Sequence, residues 1–152
     1  MGRSKAALRR LKSLARRQLG DNGKPLIEDA RFRDRLAQVE IELMALEITN
    51  LKLISAEGKQ QAPGPEASML KIKGSEIQQM LSELAMQALG PYAVPWLHDG
   101  LDLAGNLQPL ADTFSPRDAG ISGNYFNLRK TTIYGGSSEV QKNIISQMIL
   151  GL

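Results

Sequence analysis

Apolar residues recur along most of this chain at steps of three, four and seven, the spacing that gathers them on one face of an α-helix. From Ala6 to Arg17 the repeat is Leu8, Leu11 and Ala15, continued by Leu19, while Arg9, Arg10, Lys12, Arg16 and Arg17 occupy most of the remaining circumference. The turn cluster Gly20-Asp21-Asn22-Gly23-Lys24-Pro25 ends this first helix. A long second helix is predicted from about Asp29 to Ala56. Phe32, Leu36, Val39, Leu43, Leu46 and Leu53 form one seam on it, and Ala37, Ile41, Met44, Ile48 and Leu51 a second beside the first. Two seams cover more than half the circumference, so this helix is expected to be buried on two sides, in the middle of a bundle or at an oligomer interface.

The polar linker Glu57 to Gly64 leads to Pro65, which suits the first turn of a third helix because its missing amide hydrogen would be unpaired there in any case. That helix runs to about Leu89, with Leu70, Ile77, Leu81, Leu84 and Ala88 facing inward, and Gly90 and Pro91 stop it. Gly74, near its middle, suggests a close helix contact. From Pro91 to Ser122 the period is lost among Pro91, Pro95, Pro109 and Pro116, so an irregular loop at about 91–122 is expected, anchored by Trp96. A short helix from Asn124 to Thr132 precedes a last one, on which Val140, Ile144, Ile145, Met148 and Ile149 make an apolar stripe ending at Gly151. Ser138 with Gln141 fits a capping box at its start. No stretch alternates with the period of a strand, so the expected fold is all-α, an antiparallel four-helix bundle forming one domain over residues 1–152.

Composition narrows the chemistry. The chain has 152 residues and no cysteine, which excludes disulfides and thiolate metal sites, and its one histidine, His98, lies in the Pro-rich loop. No apolar run is long enough to span a bilayer, and no signal-peptide core is present, so a cytoplasmic protein is the expectation. The net charge of +3 conceals an asymmetry: residues 1–20 hold seven Lys or Arg and no acid, leaving twelve basic against sixteen acidic residues, a net of −4, for the rest. A basic first helix could serve a nucleic acid or an anionic membrane, could be a transit peptide, or could be the solvated face of a packed helix. No aromatic is interleaved among its cations, which leaves a base-stacking platform without support. A free-standing helical module that binds nucleic acid or anionic membrane through this helix is therefore the alternative reading.

The C-terminal string Ile133-Tyr134-Gly135-Gly136-Ser137-Ser138-Glu139-Val140-Gln141-Lys142-Asn143-Ile144-Ile145, ending in Ile149-Leu150-Gly151-Leu152, changes the odds. It closely resembles the C-terminal signature of the acyl-CoA dehydrogenases. Ala67-Ser68-Met69-Leu70-Lys71 with Ser75-Glu76 and Arg35-Leu36-Ala37 extend the likeness to the third and second helices. The resemblance implies the C-terminal helical bundle of an FAD-dependent enzyme, without the helical and β domains that precede it in the family. It implies α,β-dehydrogenation of an acyl-CoA thioester, electron transfer to an electron-transfer flavoprotein, and a homo- or hetero-oligomer, with neither nucleic acid nor membrane as a partner.

Carried over residue by residue, the resemblance makes Gln87, Gly90, Ser137 and Glu139 cofactor-binding and places Tyr134, Gly135 and Gly136 near the substrate. Pro91 departs from the family's second glycine and removes an amide donor there. Many relatives carry the glutamate base directly after the Ile-Tyr pair, where this chain has Gly135. Glycine accepts no proton, so no catalytic residue is assigned within the chain, and the resemblance puts the base on a preceding helix, as a second branch of the family does. The chain by itself is expected to be inactive.

Overall fold

The computed structural model describes residues 2–57, 64–93 and 120–151. Five α-helices are formed there: α1 (Gly2–Arg17), α2 (Ala30–Glu57), α3 (Glu66–Leu89), α4 (Ile121–Leu128) and α5 (Ser138–Leu150). Short 3-10 turns at Leu26–Glu28, Gly90–Ala93 and Arg129–Thr132 join or extend them. Among the described residues no strand is present, only an isolated antiparallel bridge between Leu19 and Pro25 across the first turn. This is the expected all-α, antiparallel four-helix bundle, with α4 as a short addition before the last long helix.

Cross-helix pairs give the direction of each element. Lys5 of α1 pairs with Glu47 of α2 and Lys12 with Glu40, so one number falls as the other rises. Arg35 of α2 meets Glu83 of α3 at 3.2 Å, whereas Glu42 meets Lys73 at 3.8 Å. The segment after α4 crosses α3 in the same opposed sense, Ser75 bonding Thr131 and Ser82 bonding Arg129. Helices α1, α2 and α3 are therefore antiparallel in turn, and α3 touches each of the other described α-helices.

The core lies between α1, α2 and α3. Leu11, Leu14 and Ala15 from α1 meet Phe32, Leu36, Val39 and Leu43 from α2 and Ile77, Leu81, Leu84, Ala88 and Leu89 from α3. The inward seams expected on the second and third helices are thus the buried ones, Leu46, Leu53 and Leu70 being half-buried. Asp29 caps α2 by accepting the Phe32 amide at 2.8 Å, the short acceptor a helix start needs. Pro65 is the N-cap of α3, one residue before its expected place in the first turn.

Several expectations are corrected. Helix α1 begins at Gly2, not Ala6, and Leu19 lies beyond it and is exposed; Leu14 takes the buried position instead. The second seam of α2, Ala37, Ile41, Met44, Ile48 and Leu51, faces outward. The stripe on α5 packs only in part: Ile144 and Ile145 are half-buried, none of its residues is fully buried, and Val140, Met148 and Ile149 are exposed. Fifteen large apolar residues are exposed among those described, many of them on the patterned faces of α2 and α5.

The segment expected to be irregular, about 91–122, is described only at its two ends, and at the C-terminal end Ile121 and Ser122 already belong to α4. At its start Gly90–Ala93 form a 3-10 turn, with Gly90 at φ 55°, a left-handed value that glycine adopts without a Cβ clash. Trp96, His98, Pro95, Pro109 and Pro116 lie outside the described residues, as does most of the linker before α3.

Gly74 is not forced by a close contact. A Cβ built there would meet only Leu46 Cδ2, at 4.0 Å, which is ordinary van der Waals distance. Glycine within a helix costs about 0.5–1 kcal/mol relative to alanine. Gly74→Ala is accordingly expected to stabilise the chain by that amount, read as a higher midpoint in urea at unchanged slope; a lower midpoint would show that the position needs its bare backbone.

Candidate functional site

The segment from Ile133 to Ser137 is built by backbone chemistry. The 3-10 turn at Arg129–Thr132 ends with the amides of Ile133 and Tyr134 both donating to the Lys130 carbonyl, at 2.9 and 3.2 Å. Gly135 and Gly136 then take φ of 68° and 84°, a pair of left-handed residues that reverse the chain within two positions. Ser137 emerges extended at φ −61° and ψ 161°, and its hydroxyl accepts the Val140 amide at 3.4 Å. The cap of α5 is therefore Ser137, one residue before the expected Ser138.

The expected capping box does not form. Gln141 turns its side-chain amide to the Gly135 carbonyl at 3.2 Å and so ties down the glycine turn. Ser138 instead donates to the Thr132 carbonyl at 3.5 Å. The amides of Gly135 and Gly136 have no acceptor among the described residues, so two donors are left unspent where the helix dipole is positive.

A polar clamp from α3 holds this loop in place. Gln79 donates to the carbonyls of Leu128 and Arg129, at 3.3 and 3.2 Å. Arg129 returns bonds to the Gln79 carbonyl and the Ser82 hydroxyl, both at 3.1 Å, and its guanidinium lies 4.3 Å from the centre of the Tyr125 ring. Ser75, buried, donates to the Thr131 carbonyl at 3.0 Å. Sequence reasoning missed Gln79, Ser82 and Arg129, because polar residues on a half-buried face leave no periodic signal.

Between this loop and the N-terminal half of α3 lies a cleft of about 260 Å³, walled by Leu70, Lys71, Gly74 and Ser75 on one side and Thr131, Tyr134 and Gly135 on the other. Tyr134 and Gly135, expected near the substrate, thus share one cavity, and Gly136 is the next residue in the turn. A Cβ on Gly135 would meet nothing within 4 Å.

Ser137 and Glu139 stand together at the start of α5. The carboxyl of Glu139 is held below its ordinary value of 4.5 by its own backbone amide, then by the Ser137 hydroxyl, with Lys142 and Lys71 adding their fields. A carboxyl depressed in the folded state contributes stability above its unfolded value and loses it as pH falls through the folded value. Glu139→Gln is therefore expected to lower stability at neutral pH, where the carboxylate is charged, and to leave it unchanged well below pH 4.5, so that the acid side of the profile flattens. A neutral-pH loss equal to the acid loss would rule out titration as the cause.

Gln87 and Gly90 are not part of this cluster. They lie at the other end of α3, where Gln87 is exposed and bonds Arg35 and, at 3.2 Å, Glu83. From Lys71 to Gln87 the helix rises roughly 24 Å, at about 1.5 Å per residue. Within one chain the four expected cofactor residues therefore form two groups, at opposite ends of one helix. Among the described residues no cluster of His, Cys, Asp or Glu could hold a metal ion, and no helix is long and apolar enough to cross a membrane.

The fold is shared with solved structures. The chain is 26% identical to a chain of the ChsE4-ChsE5 complex from Mycobacterium tuberculosis, with a TM-score of 0.71, covering 98% of this chain and 34% of that one. The FAD complex of PigA matches with a TM-score of 0.73 at 19% identity, over 98% of this chain and 33% of that one. The glutaryl-CoA complex of glutaryl-coenzyme A dehydrogenase matches with a TM-score of 0.68 at 20% identity, over 97% and 32%. This chain spans about a third of the length of these solved chains. No curated protein matches it significantly. The family model described as acyl-CoA dehydrogenase, C-terminal domain, matches residues 1–150, and the chain accordingly belongs to the acyl-CoA dehydrogenase family as its C-terminal helical domain.

Proposed function

We propose that this chain is the C-terminal bundle of an FAD-dependent acyl-CoA dehydrogenase and supplies flavin-binding and subunit-interface surface to it. The family match over residues 1–150 carries this reading. The local chemistry fits the cofactor: two unspent glycine amides and the start of α5 offer donors and a positive dipole to a polar or anionic group. A bound flavin supplies the hydride acceptor. Ser137, Glu139 and the glycine turn would hold one flavin, and Gln87 and Gly90, at the far end of α3, would reach a second one bound to a neighbouring subunit.

Assembly is supported by the surface. The outward seam of α2 and the exposed stripe of α5 are apolar faces that a lone chain leaves in water, so the domain is expected to associate with another copy or a related subunit. The basic face of α1 is read as solvated, because its leucines are packed in the core and Lys5 and Lys12 are engaged by acids of α2. The parent enzyme is proposed to be cytoplasmic, to take an acyl-CoA substrate and to pass electrons to an electron-transfer flavoprotein.

Purifying the polypeptide that carries this chain and recording its visible spectrum tests the reading. Flavin absorption that bleaches on addition of an acyl-CoA is the expected result. A colourless protein that stays colourless when FAD is supplied would sink it. The 152-residue chain alone, given FAD and acyl-CoA thioesters, is expected to show no turnover.

A further inference from the structure

One cation in this fold is unaccounted for. The ammonium of Lys71 is buried and has no hydrogen-bond partner. Its side chain lines the cleft beside Tyr134 and Gly135. An ammonium shut away from water without an acceptor is strongly unfavourable unless something supplies a negative group. The other polar side chains of the cleft, Ser75, Thr131 and Gln78, are neutral and point their hydrogens at backbone carbonyls, and none of them accepts a bond from the ammonium. Glu139 lies within the reach of the Lys71 field, but it is exposed and its carboxyl is engaged first by its own amide and Ser137.

We infer that the cleft between α3 and the glycine turn binds the carboxylate of a small ligand, with Lys71 as its counter-charge. Tyr134 adds to the fit, since its hydroxyl has no partner among the described residues and its side chain lines the same cavity. An ammonium and a phenol supply donors for the two oxygens of a planar carboxylate. A phosphate brings a second negative charge that the single ammonium of Lys71 does not neutralise. The cavity of about 260 Å³ is small, and Leu70 gives it an apolar wall that suits the methylenes of a short acyl group. This inference rests on the dehydrogenase reading only for the identity of the ligand, which would then be an acyl group bearing a second, terminal carboxylate.

The test is a titration of the ¹⁵N-labelled chain with acetate, succinate and inorganic phosphate at constant ionic strength. Both carboxylates are expected to shift the amides of Gly135 and Gly136 saturably, with phosphate about tenfold weaker. Lys71→Met should weaken acetate by about tenfold, as expected for loss of a charge-assisted bond, while Lys73→Met, at an exposed neighbour, leaves it unchanged. Glu139→Gln gives a second reading that does not depend on Lys71→Met folding: removing an acid that competes for Lys71 should tighten acetate. Absence of saturable shifts, phosphate binding as tightly as the carboxylates, or equal losses from Lys71→Met and Lys73→Met would each overturn the inference. The readout uses neither flavin nor turnover, so its failure leaves the dehydrogenase reading standing, and failure of that reading leaves the cleft's preference for carboxylates standing.

Discussion

Leu84→Ala is expected to destabilise the chain by about 3 to 5 kcal/mol, the upper part of the range for leucine truncation in a closed core. Leu84 is 1% exposed and sits on α3 within the cluster built by α1, α2 and α3. The surrounding side chains, Ile77 and Val39 among them, belong to three different helices, so none can close the void without shifting its own partners. Equilibrium unfolding in urea gives the measurement, with the slope expected to stay constant. Ile149→Ala on α5 is the matched control: Ile149 is 60% exposed, and its loss should cost less than about 0.5 kcal/mol, as surface substitutions do. Equal losses at the two positions would mean that α5 packs far more tightly than its exposure shows.

That contrast also marks what the sequence could reveal. Period alone placed the buried residues of α2 and α3 because Phe32, Leu36, Val39 and Leu43 find Ile77, Leu81 and Leu84 within the same chain. The same period misled at α5 and on the second seam of α2, since a hydrophobic pattern records that a face is covered and not by what. Ile41, Met44, Ile48, Val140, Met148 and Ile149 are exposed in the chain by itself, and under the proposed assembly they are the faces a partner would cover.

The functional end was legible in outline and wrong in register. Two adjacent serines offer the same capping chemistry, and only the backbone decides between them. Because both Gly135 and Gly136 turn left-handed, Ser137 is the first residue to regain an extended conformation, and the cap falls there. Lys71 could not have been singled out. A lysine in the second turn of a helix reads as a solvated residue, and Thr131 and Tyr134, which share its cleft, come some sixty residues later. Arg129 and Gln79 escaped for the same reason, their bonds spanning about fifty positions that no local pattern connects.

Gly135→Glu is expected to restore catalysis to a parent enzyme whose own base has been removed. The resemblance places a glutamate base on a helix preceding this chain, and its replacement by glutamine should lower turnover by about 10²- to 10⁴-fold, the usual contribution of a general base. Position 135 is where many relatives of the family hold that carboxylate, and here a Cβ would meet nothing within 4 Å, so the new side chain has room. Its φ of 68° is costly for any residue with a side chain, by about 1 to 2 kcal/mol, which the clamp from Gln79 and Arg129 must absorb for the turn to persist. Rescue should therefore be partial, about tenfold or more over the base-less parent, with a pH–rate profile that rises through the pKa of the introduced carboxyl. Gly135→Gln, equal in size and strain but unable to take a proton, should give no rescue. Two results would dismantle the argument: undiminished turnover after the upstream replacement alone, which would place the base elsewhere, or equal rescue by glutamate and glutamine, which would show that position 135 acts by filling space and not by accepting the α proton.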